Sequence, residues 1–204
     1  MMSTKLDYTA MADQELFERY HRKGQTEAFD VLFARHSSSV MRFIGGMLGP
    51  DSAYVDDVFQ ETWLRMINNG DKWHGGNFRA WLITIARNAT IDLLRRLKPT
   101  LSLDVENESG ESWCDTMIAD GLAPDHALEG KETEAMIAEL VLKLPELQRE
   151  VFLMRVTNQM SFNAIAEALK IPLNTALGRM HYAVKKLRTE LETTRDEWQK
   201  RRVL

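Results

Sequence analysis

The chain has 204 residues, room for one large domain or two small ones, and 27% charged and 44% hydrophobic residues at a net charge of −4, an ordinary globular composition. Its apolar stretches are short: residues 40–48 are interrupted by Arg42, Gly45 and Gly46, so no run approaches the roughly 20 apolar residues of a membrane span. The N-terminus lacks a signal-like apolar core, and the expected location is cytoplasmic, without membrane contact of the chain's own.

Cys114 is the single cysteine, which excludes an intrachain disulfide or a thiolate metal cage. The five histidines (His21, His36, His74, His126 and His181) lack metal-ligand spacing, and GxxxxGK[ST], GxGxxG and GxSxG are all absent. Without a phosphate cradle or an activated nucleophile, the expectation is a chain with no enzymatic activity. No cofactor, metal or small-molecule substrate is expected either.

In chain order, residues 11–98 carry apolar positions at three- and four-residue steps, predicting a bundle of about four helices. Gly49-Pro50-Asp51 and Asn68-Asn69-Gly70-Asp71 break the pattern, with Asp51 or Ser52 as an N-cap. Trp81, Leu82 and Ile85 read as core. Residues 99–127 are rich in Ser, Gly, Asp, Glu and Asn, and predict an acidic flexible linker. Trp113, Met117, Ile118 and Leu122 within it suit either local packing or docking into a partner's channel. Helical periodicity resumes over 128–192, where Pro145 ends one helix and sits at the first turn of the next. Residues 193–204, with Trp198 and Arg201-Arg202, form a tail open to several readings. The fold class is therefore all-α, two small helical domains joined by a linker.

Charge is unevenly distributed. Residues 99–139 hold eleven acids against Lys131, residues 79–98 hold five bases against Asp92, and residues 174–188 hold four bases and no acid. Two basic stripes thus flank one acidic stretch, a pattern that the global charge conceals.

Residues 161–188 read as a helix-turn-helix. Ser161 caps the first helix, whose inner face is Ile165, Ala166 and Leu169. Lys170-Ile171-Pro172 makes the turn, with Ile171 as its plug. The second helix turns Ala176, Met180, Ala183, Val184 and Leu187 inward, and presents Leu177, Arg179, His181, Tyr182, Lys185 and Lys186. An apolar back with a basic front suits the major groove. A helical hairpin with a solvated basic face is the plainer alternative.

Three segments carry a resemblance. Asp56-Asp57-Val58-Phe59-Gln60-Glu61-Thr62-Trp63-Leu64-Arg65-Met66 resembles region 2.2 of bacterial sigma factors. The segment opening Phe78-Arg79-Ala80-Trp81-Leu82 and closing Asp92-Leu93-Leu94-Arg95-Arg96 is similar to regions 2.3 and 2.4 of their extracytoplasmic-function (ECF) group. Leu144-Pro145-Glu146-Leu147-Gln148-Arg149-Glu150-Val151-Phe152-Leu153-Met154-Arg155 is similar to the start of region 4. The resemblance implies region 2 over 11–98 and region 4 over 128–192.

Asp57, Gln60, Glu61 and Leu64 fall at i, i+3, i+4 and i+7 and share one helix face. In the family the matching face grips the polymerase β′ coiled coil, so the implied partner is core RNA polymerase through its β′ and β subunits. Asn88 and Asp92 align with positions that face the −10 element, and Arg87, Arg95 and Arg96 add reach to phosphates. The loop 69–77 aligns with one that captures a flipped −10 base; Asn77 and Arg79 join this set. Trp73 is either a stacking platform or an anchor of the loop to the bundle. The −35 set is Asn174, Thr175, Leu177, Gly178, Arg179, His181, Tyr182, Lys185 and Lys186. Arg179 is the candidate for a bidentate guanine contact. Leu177, Gly178 and Tyr182 depart from the family's usual residues, so its −35 code does not transfer. The resemblance implies an alternative sigma factor acting on promoter DNA, restrained by an anti-sigma factor. Rival readings are a stand-alone helix-turn-helix regulator and a decoy for polymerase or inhibitor.

Overall fold

The computed structural model describes residues 6–97 and 131–202, with side chains described for 6–97 and 136–193. The expected linker, its Trp113, Met117, Ile118 and Leu122, and the first residues of the second domain lie outside these. Among the described residues there are eight α-helices and no strand.

Helices α1 (Asp13–Lys23), α2 (Thr26–Leu48), α3 (Val55–Asn68) and α4 (Phe78–Leu97) make the first half, matching the four expected from periodicity. Helix α2 is central: α1, α3 and α4 all pack on it, and α3 lies along α4. The buried centre is built from Leu16, Leu32, Phe43, Ile44, Met47, Met66, Phe78, Leu82 and Ile83. Of the three residues expected in the core after Phe78, Leu82 is buried, whereas Trp81 and Ile85 are half-buried at its edge. The N-cap expected at Asp51 or Ser52 falls short. Tyr54 precedes α3 and the Ser52 hydroxyl accepts from the Tyr54 amide at 3.4 Å, one residue before the helix.

The second half comprises α5 (Lys131–Leu142), α6 (Glu146–Phe152), α7 (Phe162–Leu169) and α8 (Leu173–Arg202), with a π turn at Leu153–Thr157 after α6. Pro145 stands just ahead of α6 in an extended conformation (ψ 144°), so it caps the helix where the sequence reading put it inside the first turn. The Ser161 hydroxyl accepts from the Ala164 amide at 3.2 Å. Lys170 adopts the left-handed conformation that ends α7. Ala176, Met180 and Ala183 are buried, while Val184 and Leu187 are half-buried beside them. Helix α8 runs through to Arg202, so the tail is a helical continuation of it.

The two halves are packed together. Helix α2 contacts α5, α6 and the π turn, and α4 contacts α7. The buried apolar residues form one continuous cluster across both.

Asp13 fixes the entry to the bundle. Its carboxylate accepts from Arg35 and His36 at 2.8 Å each, and Arg35 also donates to the carbonyls of Thr9 and Met11. His36 is only 6% exposed. Burial pushes its pKa below the ordinary 6.5, outweighing the upward pull of Asp13. A base with a depressed folded pKa contributes stability that is full above its unfolded value and is lost as pH falls through the folded one. Thermal melts from about pH 7.5 to about pH 5.5 should therefore show a falling midpoint. In His36→Gln that acid-dependent part of the decline should disappear; equal slopes in both proteins would contradict it.

Candidate functional site

Helix α3 buries Val58, Thr62 and Trp63 against the bundle, which turns the opposite side outward. Asp57, Gln60 and Leu64 are exposed there and Glu61 is half-buried, so the four expected residues do share one accessible face. Leu64 is 53% exposed, a large apolar group in water with acids around it. Beneath the same helix, Phe33, Phe59 and Trp63 pack ring on ring at 4.8–6.3 Å, which stiffens the backbone that presents this face.

Arg65, which sequence reasoning passed over, ties this face to the next helix. Its Nε donates to Glu61 at 2.7 Å and its guanidinium donates to Asp92 on α4 at 2.7 Å. The hydrogen bonds to Glu61 and Asp92 raise the Arg65 pKa further above its already high value. A single cation thus fixes the register of the acidic face against the helix carrying Asn88 and Asp92. Asp92 is thereby partly committed to the fold, whereas Asn88, Arg95 and Arg96 stay exposed.

The loop between α3 and α4 is tied to α1. Trp73 packs edge-on against Phe17 at 4.9 Å and Phe78 at 5.6 Å, with Trp81 at 6.0 Å. In this arrangement Trp73 anchors the loop to the bundle, the second of its two readings. Gly70 is buried, and a Cβ there would lie 2.6 Å from the His21 ring. No larger residue fits while His21 holds Asp71 at 2.7 Å. Gln14, Glu18, His21 and Arg22 of α1 face Asp71 and His74 across a cleft of about 290 Å³. At the start of α4 the Asn77 side chain accepts from the Ala80 amide at 3.1 Å, acting as an N-cap. Arg79 reaches back to donate to Ser39 on α2 at 2.9 Å. Both residues have structural work in this arrangement besides any contact with DNA.

In the helix-turn-helix, Asn174, Lys185 and Lys186 are exposed, and Thr175, Leu177, His181 and Tyr182 are half-buried. Gly178 is buried by its neighbours, although a Cβ there would meet nothing within 4 Å. Arg179 departs from the outward orientation expected of it. Its side chain is 13% exposed and its guanidinium donates to Glu150 on α6 at 3.4 Å. The helical wheel placed Arg179 on the front; the buried carboxylate draws it to the side. Glu150 also accepts from Arg87 of α4 at 2.9 Å. Nothing in the local pattern of α6 marked Glu150, because it follows Glu146 by one helical turn like a second surface acid, and its arginine partners lie 29 and 63 positions away. Burial pushes its pKa up and the two arginines pull it back down.

The family model described as sigma-70 region 2 matches residues 32–100, and that described as sigma-70 region 4 matches residues 134–187. The ECF RNA polymerase sigma factor SigW of Bacillus subtilis is 31% identical over 173 residues, spanning 83% of this chain and 92% of that protein. RNA polymerase sigma factor CarQ of Myxococcus xanthus is 30% identical over 184 residues, spanning 87% of this chain and 99% of that protein. Among solved structures, CnrH in complex with the cytosolic domain of CnrY superposes with a TM-score of 0.64 at 24% identity, covering 90% of this chain and 99% of that one. RpoE in complex with the anti-sigma factor NepR, from Bartonella quintana, gives 0.61 at 20% identity, covering 80% of this chain and 96% of that one. Both show the fold of the first half joined to the second. With both sigma regions matched in order and relatives at 30–31% identity over more than nine-tenths of their own length, the chain belongs to the sigma-70 family of RNA polymerase sigma factors, in its ECF subfamily.

Proposed function

We propose that this protein is an alternative sigma factor that docks on core RNA polymerase through Asp57, Gln60, Glu61 and Leu64, and positions α4 on the melted −10 strand. The exposed front of α8 then reads the −35 duplex. The observation that carries the reading is the α3 face: three polar or acidic groups around an exposed leucine. Its register is locked by Arg65 to the helix that bears Asn88. A stand-alone DNA-binding regulator has no use for such a face.

The chain needs to make no bond in this role. Interactions realised only with the open strand shift the closed–open equilibrium of the promoter. Asn88, Arg95 and Arg96 are the accessible −10 groups; Asn174, Lys185 and Lys186 are the accessible −35 groups. Arg179, held by Glu150, serves as a brace of the helix-turn-helix in this reading, and guanine readout passes to the exposed residues of α8. An anti-sigma partner is also proposed. It is supported by the likeness in fold to RpoE, which was solved with the anti-sigma factor NepR.

Purified chain added to core polymerase on a matching promoter should give specific run-off transcript. No transcript above core alone would contradict the reading. Leu64→Asp should lower affinity for core polymerase by on the order of tenfold or more, as loss of an apolar anchor inside a docking face does. Binding equal to the parent would remove the α3 face from the interface.

The two basic sites of α8 should part company. Lys185→Ala should weaken binding to all duplexes alike and reduce the salt slope by about one. Arg179→Ala should instead lower the unfolding free energy by about 1–3 kcal/mol, the loss of one charge-assisted hydrogen bond to Glu150, which keeps Arg87. A change in base preference without a change in stability would restore Arg179 as a reader.

A further inference from the structure

Two arginines from different helices converge on one buried hydroxyl. Ser39, on α2, is 2% exposed. Its Oγ accepts from Arg79, in the first turn of α4, at 2.9 Å and from Arg42 of α2 at 3.5 Å. Among the described residues no carboxylate pairs with Arg42 or Arg79, whereas Arg65 and Arg87, which also bridge helices, are satisfied by acids. One turn back along α2, Asp13 is already taken up by Arg35 and His36. The Arg79 Nε is buried and makes no hydrogen bond.

Two like charges gathered on a neutral oxygen repel, and a buried N–H without an acceptor is costly. Both defects have one remedy, an anion with several acceptor oxygens. Forked guanidinium donors match the oxygens of a phosphate group, and a serine hydroxyl between them donates one bond more. Arg42 is exposed, so the cluster is reachable from water. Arg79 precedes Asn88 by nine positions, about two and a half helical turns. The two therefore lie on opposite sides of α4, and the cluster is separate from the side that bears Asn88.

We infer that Ser39, Arg42 and Arg79 form a binding site for a phosphate group, bridging α2 and the first turn of α4. The group belongs either to a soluble phosphate, free or on a nucleotide, or to the backbone of a DNA strand crossing this face. Both sources present the same oxygens to the same donors. The site stands on the pairing of these three residues and does not depend on the promoter reading.

Thermal melts of the full-length chain test it without polymerase or promoter. Inorganic phosphate replaces chloride at matched pH and ionic strength. Phosphate stabilises folded proteins generally, so the deciding quantity is the difference between proteins. With phosphate several-fold above its Kd, the parent's melting midpoint should rise about 3 °C more than that of Arg42→Gln or Arg79→Gln. Arg42 is exposed, so Arg42→Gln keeps the comparison readable if Arg79→Gln fails to fold. Equal rises in the parent and the folded variants would overturn the site.

Two further melts separate the sources, one with a nucleoside monophosphate and one with a single-stranded oligonucleotide in place of inorganic phosphate. An arginine-dependent rise with the oligonucleotide but not the monophosphate assigns the site to a DNA strand. The same rise with the monophosphate assigns it to a soluble phosphate. No arginine-dependent rise with any of the three probes would leave the two arginines as a solvated pair and end the proposal.

Discussion

A carboxylate buried at the centre of the protein sets much of its organisation. Glu150 cannot be dry and unpartnered, so the chain supplies Arg179 from within its own half and Arg87 from the other. Both arginines are thereby positioned by electrostatics where helical periodicity alone would leave them in solvent. The apolar packing around them, with Leu153 against the bare backbone of Gly46, supplies the close approach that the ion pairs require. Dispersion and burial bring the halves into contact, and the charges decide their register.

Arg65 does a comparable job within the first half. It joins Glu61 on the outward face of α3 to Asp92 on α4. In the proposed reading, polymerase docking and strand capture would fall to adjacent helices with a fixed relation. The loop between them is held against α1 by the packing of Trp73 on Phe17. A displacement of α3 on docking would reach α4 through a short, rigid linkage.

Most of the fold was legible in the sequence. The periodic runs gave the helices of both halves, Ser161 gave the cap of α7, and the inward face of α8 was named residue by residue. The shared face of Asp57, Gln60, Glu61 and Leu64 followed from helical spacing alone. What the sequence did not reveal depends on long-range pairing. Arg65 and Asp92 are 27 positions apart, Arg87 and Glu150 are 63 apart, and no local pattern announces such partners. The same limitation moved Arg179, whose place on a helical wheel was outward until a buried acid on another helix claimed it. Pro145 moved one helix start by a residue and Tyr54 another by two or three, where capping geometry outweighs periodicity.

The central claim is that the outward face of α3 seats the chain on core RNA polymerase, with Arg65 holding that face in register with α4. Its most direct test is the affinity of the fluorescently labelled full-length chain for core polymerase, compared between the parent and Asp57→Lys. Clearly weaker binding by a variant whose thermal melt matches the parent is the predicted result. Equal affinities would contradict it.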